Sequence, residues 1–231
     1  MLRTPLATGF WREYNEWREK VTVAQRQKRI GDILLLTEEI RNPLIKEEAI
    51  GEAGKALANM GRNELALSQY RKGLEVNSNN MAFRREEAFH LNRLDRVDEA
   101  IVKIENLLTD YPNDSEAISY LGRIYKEMWA DSWKHIVDKD IRIKCAFDSY
   151  HWLIKAIEIY LNGFHMDLNN YYPGVNALTL STIATHLADK YDNKKDPDPD
   201  IARIRKSLND LRGALVFGLE EKSEDDKVDY W

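Results

Sequence analysis

The sequence predicts an all-α protein built from stacked helix-turn-helix pairs, and three observations carry that prediction. Apolar residues make up 43% of the 231 residues and charged ones 32%, with only 11 Gly and 6 Pro; strand-rich folds spend more Gly and Pro on turns. Apolar positions recur with a helical period along most of the chain. The middle also repeats itself. Setting "MGRNELALSQYRKGLEVNSNN" (60–80) against "LDRVDEAIVKIENLLTDYPND" (94–114) places Gly61 on Asp95, Ala66 on Ala100, Tyr70 on Ile104, Leu74 on Leu108 and Ser78 on Pro112. Every offset is 34 residues, the period of the tetratricopeptide repeat, so the expected architecture is a superhelical α-solenoid with irregular flanking helices.

Taken in order, residues 1–43 read as an N-terminal helical extension that caps the array. "FWREYNEWREK" (10–20) gives an aromatic helix, and 22–40 a second helical stretch with Val23, Ile30, Leu34 and Ile40 near one face. Residues 44–127 hold the regular repeats. A third unit starting at Ser115 gives Ile118, Leu121, Gly122 and Tyr125, an Ile-for-Trp version of W-x2-L-G-x2-Y. Gly54, Ala66, Ala88, Ala100 and Gly122 mark places where paired helices approach too closely for a large side chain, and Tyr70, Leu74, Ile104 and Leu108 fill the gaps between units.

Residues 128–231 read as divergent repeats of the same continuous solenoid domain. "MWADSWKHIVDKDIRIK" (128–144) interrupts the pattern. Ala156 and Tyr160, followed by Gly163 and Phe164, are preferred over Ala146 and Tyr150 as the second helix, which leaves an enlarged loop or extra helix around Trp129, Trp133 and Trp152. In "DLNNYYPGVNALTL" (167–180) a new helix opens near Tyr171, with Pro173 in its first turn, where a missing N–H is tolerated. Asn176 inside those first turns needs a partner for its amide, and a buried structural hydrogen bond is the expectation. Residues 193–215 read as a polar loop and a helix capped by Asp198 or Asp200. Ser223 and Asp226 are spaced almost like a capping box, and Tyr230–Trp231 opens an apolar face that stops, so the native protein is expected to continue.

Chemistry is hard to find. The chain has no phosphate-binding glycine loop, no G-x-S-x-G elbow and no H-E-x-x-H. The single Cys145 excludes an intrachain disulfide and a cysteine-based metal site. The expectation is therefore no catalytic residues, no cofactor and no metal. A net charge of -5 argues against a general nucleic-acid binder. No signal peptide and no 18-residue apolar run is present, so a cytoplasmic, membrane-free protein is expected.

Binding is better supported. In such repeats the first helix of each unit lines the concave face. On the register above, that groove carries Lys55 and Asn59, then Arg85, Phe89 and Asn92, then Arg123, Lys126 and Glu127. Basic and amide groups around one aromatic suit an extended, acidic peptide or protein partner, because Arg forks hold carboxylates and Asn holds a peptide backbone. The rival reading is a small-ligand pocket in the C-terminal half around Trp152, His165, Asp167, Asn169 and Asn176. Exposed terminal helices offer a route to homo-oligomers.

With the repeats, "YLGRIYKEMW" (120–129), "IEIYLNGF" (157–164) and "YYPGVNALTL" (171–180) in order, residues 45 to 231 resemble the TRAF-binding, tetratricopeptide-like regulatory region of apoptosis signal-regulating kinases and bacterial proteins. The resemblance implies a non-catalytic helical scaffold that binds partners and regulates an adjoining signalling or effector domain. The single cysteine departs from any multi-thiol redox switch.

Overall fold

The computed structural model describes residues 5–191 and 198–225. They form eleven α-helices and no strand: α1 (Pro5–Arg26), α2 (Ile30–Glu39), α3 (Pro43–Asn59), α4 (Asn63–Val76), α5 (Met81–Arg93), α6 (Val97–Asp110), α7 (Ser115–Asp131), α8 (Lys139–Asp148), α9 (Tyr150–Met166), α10 (Tyr171–Tyr191) and α11 (Pro199–Asp225). Among these residues no helix is long and apolar enough to cross a membrane. The fold class is all-α and tetratricopeptide-like. The chain divides into two compact units, Met1–Leu107 and Leu108–Trp231.

The first unit is organised by one turn used three times. Lys28, Gly61 and Asp95 all adopt left-handed φ angles, at 56°, 71° and 59°. In each case the following arginine amide reaches back five residues: Arg29 to Ala24 O at 2.8 Å, Arg62 to Leu57 O at 2.9 Å, Arg96 to Leu91 O at 3.0 Å. The amide thereby satisfies a carbonyl that the helix end would leave open. All three acceptor residues are buried. This corrects the sequence reading of 22–40 as a single stretch of helix. The chain turns at Lys28 with the geometry of the regular repeats, and Val23 and Ile33 lie on different helices. Lysine hid the turn, because a non-glycine left-handed residue leaves no compositional signal.

Helix α3 packs on α4, and α4 on α5. Gly54 makes the first joint possible: a Cβ there would lie 2.7 Å from the Tyr70 ring. Tyr14, Trp17, Ile33, Ile45, Ile50 and Leu57 build the surrounding core. Apolar surface that this core removes from water contributes about 25 cal/mol per Å². Trp17 also donates its indole N–H to Leu36 O at 2.9 Å, fixing α1 on α2.

In the second unit α7 packs on α9, α9 on α10, and α10 on α11 and α8. Asp114 caps α7 by accepting from the Ala117 amide at 3.0 Å. Asn80, thirty-four residues earlier, does the same for α5 through Phe83 at 2.9 Å. Position 129, thirty-four residues after Asp95, is a tryptophan that continues α7 instead of turning. The extra segment is the short helix α8, and the Trp129 indole N–H donates to Ala146 O at 2.8 Å to hold it. The repeat's second helix is then α9, with Ala156 and Tyr160 fully buried, as the spacing of Ala156, Tyr160, Gly163 and Phe164 predicts.

Farther on, Asp198 caps α11 by accepting from the Asp200 amide at 2.9 Å. Ser223 does not open a new helix: α11 runs through it to Asp225. Tyr230 and Trp231, like Asp226, lie outside the described residues.

Candidate functional site

In the second unit the face formed by α7 and α10 is built on a glycine. Gly122 lets the Tyr160 ring of α9 lie directly against α7, with the ring about 3.0 Å from where a Cβ would sit. One turn along α7, Lys126 stands 5.7 Å above the centroid of the same ring, within reach of the ring's negative face. Its ammonium donates to Asn176 Oδ1 at 2.8 Å, and the Asn176 amide N–H donates to Tyr172 O at 2.9 Å. Asn176 is thus the partner-seeking amide of the sequence, and it is half-buried, not fully buried as expected. A buried position is unnecessary because the lysine of α7 comes to it.

Arg123 is paired with Glu127 on its own helix at 2.9 Å, both about a third exposed. The Tyr160 hydroxyl is buried and has no hydrogen-bond partner among the described residues. Burial, then the neighbouring Tyr172 phenol, pushes its pKa up, so it remains a protonated donor. Tyr172 lies edge-on to it, ring centroids 6.2 Å apart, and is half exposed.

The other groove residues fall in the first unit. Lys55 and Asn59 are exposed on α3, while Arg85, Phe89 and Asn92 are partly buried on α5. Arg93 stands 5.2 Å over the Phe89 ring. The residues of the rival pocket do not share one cavity. His165 lines a cavity of about 660 Å³ between α9 and α11, walled by Ile157, Leu161, Phe164 and Ile204. Asp167 holds its own turn by accepting from the Asn169 amide at 3.0 Å. Trp152 lies against Tyr125, centroids 5.8 Å apart, near the opposite end of α9 from His165; thirteen helical residues span roughly 20 Å.

The first unit buries the polar side chains of Glu87 and His90. Glu87 is almost fully buried on α5, bridging Arg71 of α4 at 2.9 Å and Lys103 of α6 at 3.0 Å. His90, fully buried on the same helix, sets Nδ1 3.1 Å from Asn63 Oδ1 and stacks on Tyr70. Burial, then the Arg93 charge, lowers its pKa to about 4. Acid and imidazole at positions 87 and 90 resemble a surface pattern, and only the 34-residue register places them inside. Among the described residues no group of three His, Cys, Asp or Glu could hold a metal ion.

Fold and face together define a repeat protein of the tetratricopeptide class, an architecture of protein-binding scaffolds. The family model described as Tetratricopeptide Repeats-Sensor matches residues 62–181, just over half the chain, and the chain belongs to that family. Three solved structures share the fold. One titled "Crystal structure of MamA protein" has a TM-score of 0.53 and 10% identity, covering 95% of this chain and 98% of its own. "MamA RS-1 ArsTM double mutant" gives 0.51 and 16%, covering 87% and 96%. MamA residues 41 to the end from Desulfovibrio magneticus RS-1 gives 0.50 and 17%, covering 93% and 98%. At such identities the likeness is one of fold. No curated protein matches the chain.

Proposed function

We propose that the chain is a non-catalytic interaction module that binds a protein or peptide partner through the outward faces of its first helices, α5 in the first unit and α7 with α10 in the second. The observation that carries this reading is the ordered polar face around Lys126 and Asn176. Polar side chains held in place before binding lose less entropy when a partner arrives. In the full-length protein the module regulates an adjoining signalling or effector domain. The family's description as a sensor and the resemblance to kinase regulatory regions support that role. The test is the pair Arg85→Glu with Arg123→Glu in the full-length protein. Partner capture should be lost while helical content and melting stay unchanged; undiminished capture overturns the reading.

A second reading, a small-ligand sensor, is favoured by the cavity lined by His165, whose volume is in the range of ligand pockets. Its test is thermal-shift screening against a metabolite library, with His165→Trp filling the cavity. A hit whose stabilisation disappears in that variant supports the sensor, and a screen without hits counts against it.

A further inference from the structure

The chemistry that the second-unit face can recognise follows from which of its groups are already neutralised. Arg123 is cancelled by Glu127 at 2.9 Å. Lys126 is not: its contacts are the neutral Asn176 oxygen and the Tyr160 ring, and among the described residues it makes no ion pair. Three constraints hold that ammonium in one place, namely the amide oxygen, the ring beneath it and the fixed orientation of Asn176 through Tyr172 O. An ammonium has three N–H donors and only one is used. The fully buried Tyr160 hydroxyl supplies another donor with no acceptor. The ring that carries this hydroxyl is the one beneath the Lys126 ammonium. The half-exposed Tyr172 side chain lies edge-on to the same ring, centroids 6.2 Å apart.

Resting on the interaction-module reading, we infer that Lys126 and Tyr160, with Asn176 as the positioning residue, form a receiving site for one side-chain carboxylate of an acidic partner segment. One uncancelled positive charge matches one carboxylate. A phosphate, carrying close to two charges at neutral pH, would be better served if Arg123 were free as well. Glu127 then acts as an internal competitor: it keeps Arg123 occupied and limits how much negative charge the face accepts.

The test titrates the folded chain with a hexaglutamate peptide blocked at both ends, with the matching hexaglutamine peptide and inorganic phosphate as alternative probes. The glutamate peptide should bind and the glutamine peptide should not, with affinity falling as salt rises. Lys126→Gln should weaken binding at least fivefold. Tyr160→Phe should weaken it severalfold with unchanged melting, which a purely structural role would not do. Glu127→Gln should strengthen binding by freeing Arg123, and Lys144→Gln, on α8, should change nothing. Glutamate-peptide binding that is absent, or indifferent to Lys126→Gln and Tyr160→Phe, overturns the site. Equal loss in Lys144→Gln overturns it too, by showing only diffuse attraction. Phosphate binding that Lys126→Gln abolishes, in place of peptide binding, overturns the assignment to a carboxylate. Any of these results leaves partner capture and its dependence on Arg85 and Arg123 to be judged separately, so this site can fail while the interaction module stands.

Discussion

The two units solve the same packing problem at different sequence spacings. In the first, sixteen residues separate Gly54 from the Tyr70 ring that covers it; in the second, thirty-eight separate Gly122 from Tyr160. The additional 22 residues hold α8 and its flanking turns. What the repeat preserves is a ring laid on a bare stretch of helix, and the number of residues between the two is free to change. The units differ in what else they bury. The first hides a charged and an imidazole side chain, Glu87 and His90, beside its joint; Glu87 and the His90 Nδ1 find partners, while Nε2 makes no hydrogen bond among the described residues. The second hides a phenol whose hydroxyl finds none.

Several experiments would break or sharpen that comparison. The largest effect is expected at the joints. Gly54→Val should destabilise the first unit by about 3 kcal/mol, the upper end for overpacking, whereas Gly122→Val should cost about 1–2 kcal/mol. The required ring movement is larger at 2.7 Å than at 3.0 Å. Urea denaturation of each variant checks the order, and equal losses would mean that the closer approach at Gly54 does not set the cost.

Acid should separate the units next. The folded pKa of His90 is depressed to about 4 from an unfolded value near 6.5. The unfolded chain therefore binds the extra proton first, so this contribution is fully present above about pH 6.5 and is lost as pH falls toward 4. The shift corresponds to a loss on the order of 3 kcal/mol, with Glu86 lying 3.6 Å from Nε2. Hydrogen exchange between pH 6.5 and 4 should show protection falling in α4 and α5. His90→Phe should flatten that dependence, and an unchanged slope in the variant would assign it elsewhere.

A smaller gain is expected from Lys28→Gly. Removing the Cβ from a left-handed residue should stabilise the chain by about 1 kcal/mol, read as a raised urea midpoint. Gly61→Ala at the equivalent turn should cost a similar amount. The smallest change belongs to Tyr160→Phe, where deleting a hydroxyl without an acceptor should leave the melting temperature unaltered or slightly higher. A clear loss would reveal a hydrogen bond for that group.

Much of the fold was legible because its joints depend on residue size. Gly54, Tyr70, Ala156 and Tyr160 can be picked out by volume and spacing alone, and the structure puts them where that reasoning places them. The turn at Lys28 was not legible, since its left-handed φ is imposed by packing on both sides and the residue carries no turn preference. The candidate face was half legible. Lys126 and Asn176 stand in two competing sets in the sequence reading, one in a groove and one in a pocket. Fifty residues and an inserted helix lie between them, and no local pattern shows that they meet at 2.8 Å.

The inserted segment has a property of a different kind. The hydroxyls of Ser132 and Ser149 meet at 2.6 Å, so the excursion through α8 leaves and re-enters the repeat at nearly the same point. A loop closed at its neck can change length cheaply: doubling it adds only about 0.6 kcal/mol of closure entropy. It is a natural grafting port. A tag, a fluorophore-bearing segment or a longer arm spliced between residues 134 and 138 would hang from the scaffold without disturbing the Gly122–Tyr160 joint.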